Sequence, residues 1–383
     1  MTLQELHSNE ELRQHEFPIT REKVYLAHAA VCAFPRRVAE AISNYAVRSS
    51  GLQQEAVMPP GWLTETRELV AKFLGVRMEE VAFVGPTSSA LSYFAAGLNF
   101  KRNQNILIYG DDYPSNVYPW MTLAERGVEV RYLNIRELGL VRARDVIGQV
   151  DENTRLVAIS SCHFLSGFRT EIDTVGKFLR GRNVLFSVDA IQTLGAFETP
   201  LGNVDFAAAD AHKWLLGPCA AGLMYVRKEV QENLRPTSYG WHNVRTPNFV
   251  AQEEIEFKRD ARRYEAGSHN LLGIVGIRAA VELLTEIGME AISRELWRKR
   301  TWVVPEVEKK GYVVLQANAK MENASGIITF YRPETDMEQL HGQLEQNHVV
   351  TSLRVDRGGQ RYIRMSPHFY NTDAELRRVL ELL

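Results

Sequence analysis

A chain of 383 residues, 45% hydrophobic and 24% charged, is too long and too apolar for a mini-protein or a disordered segment, and has length for two or three domains. Its 45 Lys and Arg against 47 Asp and Glu leave a net charge of -2, so there is no overall basic excess to neutralise a phosphate backbone and nucleic acid is not expected as a main partner. Cys32, Cys162 and Cys219 form neither a CxxC pair nor a disulfide framework, which fits a reducing cytoplasm. The N-terminal stretch MTLQELHSNEELRQHEF is polar and acidic, and no run approaches about 18 apolar residues, so neither export nor membrane insertion is expected.

Short apolar runs read as buried strands at Val81–Val84, Asn105–Tyr109, Val128–Leu133, Leu156–Ser161, Val184–Asp189, Asp205–Ala209 and Gly222–Val226. Helical periodicity at Ser88–Leu98, Ser115–Arg126, Ala143–Gln149 and Ile172–Arg180 separates the first five of them. The alternation predicts an α/β fold with a seven-stranded, mostly parallel sheet flanked by helices. After Gly267 the pattern changes: helices at Leu271–Ile287 and Glu290–Lys309, short strands at Tyr312–Gln316 and Gly326–Tyr331, and a helix at Met337–Asn347. Strands near Val349–Leu353 and Tyr362–Met365 and a helix from Thr372 complete a smaller α+β unit. The expected division is a large domain over residues 18–265 and a small one made of residues 1–17 and 266–383.

The stretch from Ser187 to Gly195, followed by Val204 to Pro218, carries the most chemistry. Asp189 ends an apolar strand, where open α/β sheets bind their ligands. Lys213 sits among Ala, Trp and Leu, surroundings that lower an amine's pKa and make it a usable nucleophile. Composition alone leaves a second reading open, a solvated loop lysine and a helix-capping aspartate. Val84-Gly-Pro-Thr-Ser-Ser-Ala90 runs from a strand through a turn into a helix and would present the hydroxyls of Thr87 and Ser88 at a helix N-terminus. As a bare pattern it is weak, because Ser and Thr are favoured caps anywhere.

Asp189-Ala-Ile-Gln192 together with His212-Lys213-Trp214 and Gly217-Pro218 closely resembles the signature of class V aminotransferases, fold type I pyridoxal 5'-phosphate enzymes whose relatives include cysteine desulfurases, cystine lyases and kynureninases. The resemblance runs from Tyr25-Leu-Ala-His-Ala-Ala30 to Arg364-Met-Ser-Pro-His-Phe-Tyr-Asn-Thr372. It implies that Lys213 joins the cofactor aldehyde and shuttles a proton, that Asp189 holds the pyridine nitrogen protonated, and that Gln192 partners the phenolic oxygen. His212 is expected beside the cofactor, Thr87 and Ser88 at its phosphate, and Tyr113 stacked on its ring. Ser268, in Arg263-Tyr-Glu-Ala-Gly-Ser268, matches the residue that reaches the partner subunit's cofactor, which implies a homodimer with shared active sites. Arg364 aligns with the arginine that grips a substrate α-carboxylate, so the substrate is read as an α-amino acid. The resemblance implies no metal.

Two departures bear on mechanism. Cysteine desulfurases carry a nucleophilic cysteine shortly before that arginine, whereas His348–Gly359 contains none, so a persulfide route is not expected and Cys162 is read as a small buried residue. Some relatives place an asparagine three residues before a glycine where this chain has Phe164, leaving the phenolic oxygen to Gln192, alone or with His163. Trp241, in Tyr239-Gly-Trp-His-Asn-Val244, is a candidate to close the substrate pocket or to pack in the core. Transamination is the preferred reading, a β-eliminating lyase without an enzyme thiol the alternative, and a non-catalytic cofactor-binding module the rival of another class.

Overall fold

The computed structural model describes all residues 1–383. A two-residue strand, β1 (Val24–Tyr25), precedes the seven strands of the main sheet. These are β2 (Val81–Val84), β3 (Asn105–Ile108), β4 (Glu129–Tyr132), β5 (Thr154–Ser160), β6 (Leu185–Asp189), β7 (Phe206–Asp210) and β8 (Gly222–Val226). Their order across the sheet is β2-β8-β7-β6-β5-β3-β4, and only β8 runs against its neighbours. The sheet is therefore mostly parallel and α/β, as its alternating elements predict.

Both faces of that sheet are dry, and the two-residue period of a strand explains how. Leu107, Val157, Ile159, Phe186 and Val188 enter the larger of two cores, while Ile106, Ile108, Leu156, Ala158 and Leu185 enter the other. Helix Leu271–Ile287 packs on helices Arg36–Ser49 and Trp62–Leu74 and adds Ile274, Ile277, Val281 and Leu284 to the larger core.

A second sheet follows, with β9 (Val313–Val314), β10 (Ile328–Tyr331), β12 (Ser352–Val355) and β13 (Arg361–Met365) in the order β12-β13-β10-β9; β11 (Val349–Val350) pairs separately with β1. Its own core contains Val303, Val307, Ile328, Phe330, Leu344, Ile363 and Val379.

Three expectations need correction. The segment Ser115–Arg126 is not one helix but a single α-turn, Tyr118–Met121, between 3₁₀ turns at Pro114–Asn116 and Thr122–Arg126. Pro119 supplies no N–H and its ring excludes a preceding helical turn, so the helix starts there. The run Val128–Leu133 is not a fully buried strand: β4 is the sheet's edge, and Glu129 and Tyr132 are exposed. The predicted strand Val349–Leu353 is split into β11 and β12, which join different sheets.

Candidate active site

The carboxyl ends of β6 and β7 lie side by side, with Asp189 closing one and Asp210 the other. The turn after β6 carries Gln192 and ends at Gly195, whose φ is +93°. A Cβ there would collide with the Trp214 carbonyl, so glycine lets this turn lie directly against the one bearing Lys213. Gln192 is held from both ends: its Nε2 donates to Ala29 O at 3.1 Å and its Oε1 accepts from the Trp214 indole at 2.8 Å. One Nε2 hydrogen is left for a ligand.

These turns enclose a cavity of about 290 Å³ lined by Thr87, Ser88, Tyr113, Phe164, Asp189, Gln192, Asp210, His212, Lys213, Arg354 and Arg364, among others. Eight of the residues singled out in the sequence therefore meet at one place. Lys213 Nζ lies 5.1 Å from the centroid of the Tyr113 ring. Burial pushes the Lys213 amine below the usual lysine range; Asp189 opposes this, while Arg364 and Arg354 add to it. Burial likewise raises the Asp189 carboxyl, partly offset by the Ile191 N–H that donates to it at 3.0 Å and by Lys213. Among the polar side chains around Lys213, His212 Nδ1 lies 3.0 Å from Asp210 Oδ2. Asp210 also accepts from the amides of Ala211, Ala220 and Ala221, which fixes the lysine turn from behind.

Helix Thr87–Gly97 begins at Pro86 with no side-chain cap, leaving its first amides to the cavity. Thr87 Oγ1 accepts from Asp210 N at 2.8 Å, and Ser88 Oγ meets Ser115 Oγ at 2.7 Å. Tyr113 is positioned by its neighbour: the Asp112 carboxylate accepts from Tyr113 N, Ser160 N, Ser160 Oγ and Asn116 Nδ2 at 2.6–3.0 Å. Arg364, 1% exposed, donates through Nη1 to Phe164 O at 2.6 Å, while its Nε and Nη2 have no partner.

Three residues named from sequence lie elsewhere. His163 is buried but turned away, its Nε2 at 3.0 Å from Asp111 O and its Nδ1 accepting from Ser166 N at 3.1 Å. Ser268 lines a separate small pocket with Gly267 and His269. Trp241 lies against His242, ring centroids 3.7 Å apart, in a third hollow with Arg67, Glu265 and His269. Conversely, Arg354, Asp112 and Asp210 escaped the sequence reading. Arg354 stands one residue beyond the expected strand end at Leu353, and counting cross-strand alternation back from Arg364 would have placed both on one face.

The site fits pyridoxal phosphate by its own chemistry. An amine and a carboxylate are buried unpaired in one cavity, and two N–H donors of a buried guanidinium are orphaned there; each is costly until a polar ligand satisfies it. Flanking them are an aromatic face and an uncapped helix N-terminus suited to a phosphate.

The comparisons agree. The family model described as aminotransferase class-V matches residues 24–379. The chain is 27% identical to a probable cysteine desulfurase of Methanothermobacter thermautotrophicus over 97% of its own length and 96% of the relative's. Among solved structures, the apo cysteine desulfurase from Thermococcus onnurineus NA1 superposes with a TM-score of 0.89 at 24% identity, covering 97% and 96% of the two chains. A C-DES mutant with glycine covalently linked to its PLP cofactor superposes at 0.85 with 17% identity, covering 96% and 98%. The fold, the matched family model and the chemistry gathered around Lys213 make this chain a member of the class V aminotransferase family, a pyridoxal phosphate-dependent enzyme.

Proposed function

We propose that the chain is an aminotransferase acting on an α-amino acid. The observation that carries the α-amino acid reading is Arg364: a buried guanidinium with two unpartnered donors in the cavity of Lys213 matches the planar, bidentate geometry of a carboxylate. When bound, the cofactor supplies an electron sink for a negative charge developing at the substrate Cα. Lys213, its pKa lowered by burial, would take the proton from the substrate Cα and hold it at Nζ for delivery to the cofactor's aldehyde carbon. Asp189 holds a proton on the ring nitrogen through a charge-assisted hydrogen bond, Gln192 donates to the phenolic oxygen, and His212 packs beside the ring. Thr87, Ser88 and the first amides of their helix would hold the phosphate, and Tyr113 would cover the ring face.

Elimination at Cβ is the second reading, because C-DES, whose fold this chain shares, is named a cystine C-S lyase. A thiol relay finds no support here. Cys162 is buried outside the cavity with its thiol pushed up to about 11, Cys32 is pushed up to about 12, and Cys219 does not line the cavity. An elimination would then use Lys213 as its only evident base.

The same proposal includes a cytoplasmic homodimer with shared sites. Exposed Phe249 and Val250 beside Trp241 support an apolar contact surface, and we assign Ser268, outside its own chain's cavity, to the partner's cofactor. The proposed division into residues 18–265 and residues 1–17 with 266–383 has the two separate sheets in its favour and helix Leu271–Ile287, packed on the large domain's helices, against its exact boundary; preferential proteolysis near Gly288 instead of Gly267 would move that boundary. No helix is long and apolar enough to cross a membrane.

The deciding experiment incubates the yellow holoenzyme with single amino acids, with and without a keto-acid acceptor. Turnover that depends on the acceptor supports transamination, whereas release of ammonia and a keto acid without one replaces it by elimination. A chain that stays colourless after incubation with pyridoxal phosphate would mark a non-catalytic module.

A further inference from the structure

We infer that Arg354 is a second anion-binding residue of this site and that the substrate is a dicarboxylic amino acid with a short side chain. The inference rests on the reading of Arg364 as the α-carboxylate site. In the β12–β13 hairpin Ser352 pairs with Arg364 and Arg354 with Tyr362. Residues two apart share a face of a strand, so both arginines project from one face as diagonal neighbours, a relation that ordinarily sets Cα atoms about 7–8 Å apart.

Like charges in that relation repel, and a carboxylate normally separates them. None does here. Arg354 donates only to its neighbour's carbonyl, Leu353 O, at 3.0 Å. Asp356, the nearest acid along the chain, is taken by the Tyr362 hydroxyl at 2.7 Å and by Gln360 N at 3.0 Å. Arg357, at the tip of the same hairpin, shows what a paired arginine looks like: it reaches Asp111 at 2.7 Å and Gly110 O at 2.7 Å. Both unpaired guanidiniums line the cavity of Lys213 and are held below the usual arginine range, first by burial.

One carboxylate bound bidentately uses the two free donors of Arg364 and leaves Arg354 unmatched. The cofactor phosphate does not match it, because its seat is the helix start at Thr87 on the main sheet, whereas Arg354 lies across the cavity on the other sheet. A second carboxylate, carried on a short side chain, satisfies the remaining charge and removes the repulsion.

The test titrates holoenzyme with aspartate and glutamate against asparagine and glutamine, following the cofactor absorbance. Calorimetric titration with succinate against butyrate gives a readout independent of turnover. Expected is tighter binding of each diacid, and in Arg354→Gln a loss of about 10- to 100-fold for diacids beyond any loss for the amides and butyrate. Arg354→Lys, which keeps the charge but not the fork, should recover part of it. Equal losses for diacids and amides, amides bound as tightly as diacids by the unaltered enzyme, or weaker pyridoxal phosphate binding in Arg354→Gln would each overturn the assignment. If simple amines bind and no α-amino acid of either kind does, the reading of Arg364 fails first.

Discussion

The two sides of the cavity are built on opposite terms. On the main-sheet side Gln192 is bonded at both ends, Thr87 accepts from Asp210 N, and Asp210 holds three amides of the lysine turn. On the hairpin side Arg364 has one protein partner and two orphaned donors, and Arg354 reaches only its own strand. A wall whose framework is satisfied, and which leaves the Lys213 amine and the Asp189 carboxylate for the ligand, suits a cofactor that remains through every turnover. A wall of unsatisfied cations is an energetic penalty that an arriving anion lifts, which is why we assign it to the substrate.

Substitutions on the satisfied side test that contrast most severely. Lys213→Ala should lower turnover by at least about 10⁴-fold and abolish the absorbance fixed by borohydride; residual turnover near the unaltered rate would remove this lysine from the chemistry. Asp189→Asn should cost about 10²–10³-fold in kcat, read by steady-state kinetics. It should also raise the melting temperature of the cofactor-free protein. Burial lifts the Asp189 carboxyl above its unfolded value, so the wild-type stability contribution is present at low pH and lost as pH rises through the folded value. The gain in the variant is therefore largest at alkaline pH, and a lower melting temperature there would contradict it.

Smaller effects probe how firmly the satisfied side is braced. Trp214→Phe removes the indole donor to Gln192 and should reduce kcat about tenfold while shifting the cofactor absorbance, with the fold intact by circular dichroism. An unshifted spectrum would mean that Gln192 needs no brace. Behind Trp214, burial depresses His28 to about 4, and the ring meets Ser366 O at 2.8 Å and the Tyr370 hydroxyl at 2.7 Å. Its contribution to stability is complete above its unfolded value near 6.5 and is lost as pH falls towards 4. His28→Gln should make the decline in melting temperature over that window shallower, and an unchanged slope would assign the decline to other groups.

The main sheet was largely legible in the sequence because strands buried on both faces read as uninterrupted apolar runs: β2 and β8 begin and end where the hydrophobicity does. The helices Arg36–Ser49 and Trp62–Leu74 were not singled out, being amphipathic and rich in charge, and β1 is only two residues long. Asp189, Gln192 and Lys213 were legible because their chemistry is concentrated in short contiguous motifs. Arg354 and Asp210 were not, since each acquires its meaning from a residue outside its own motif, Arg364 across a hairpin and Thr87 from another strand-to-helix turn.

The reversed direction of β8 has a consequence for mutational tolerance. Because this strand runs against its neighbours, its first residue, Gly222, lies at the ligand-bearing edge, paired with Val84 on one side and Asp210 on the other. A Cβ there would strike the Gly85 carbonyl. It would wedge the turn before Thr87 away from the turn before Lys213, so that a single methyl group on a residue that does not line the cavity would open the cofactor's seat without changing the identity of any residue assigned to the cofactor.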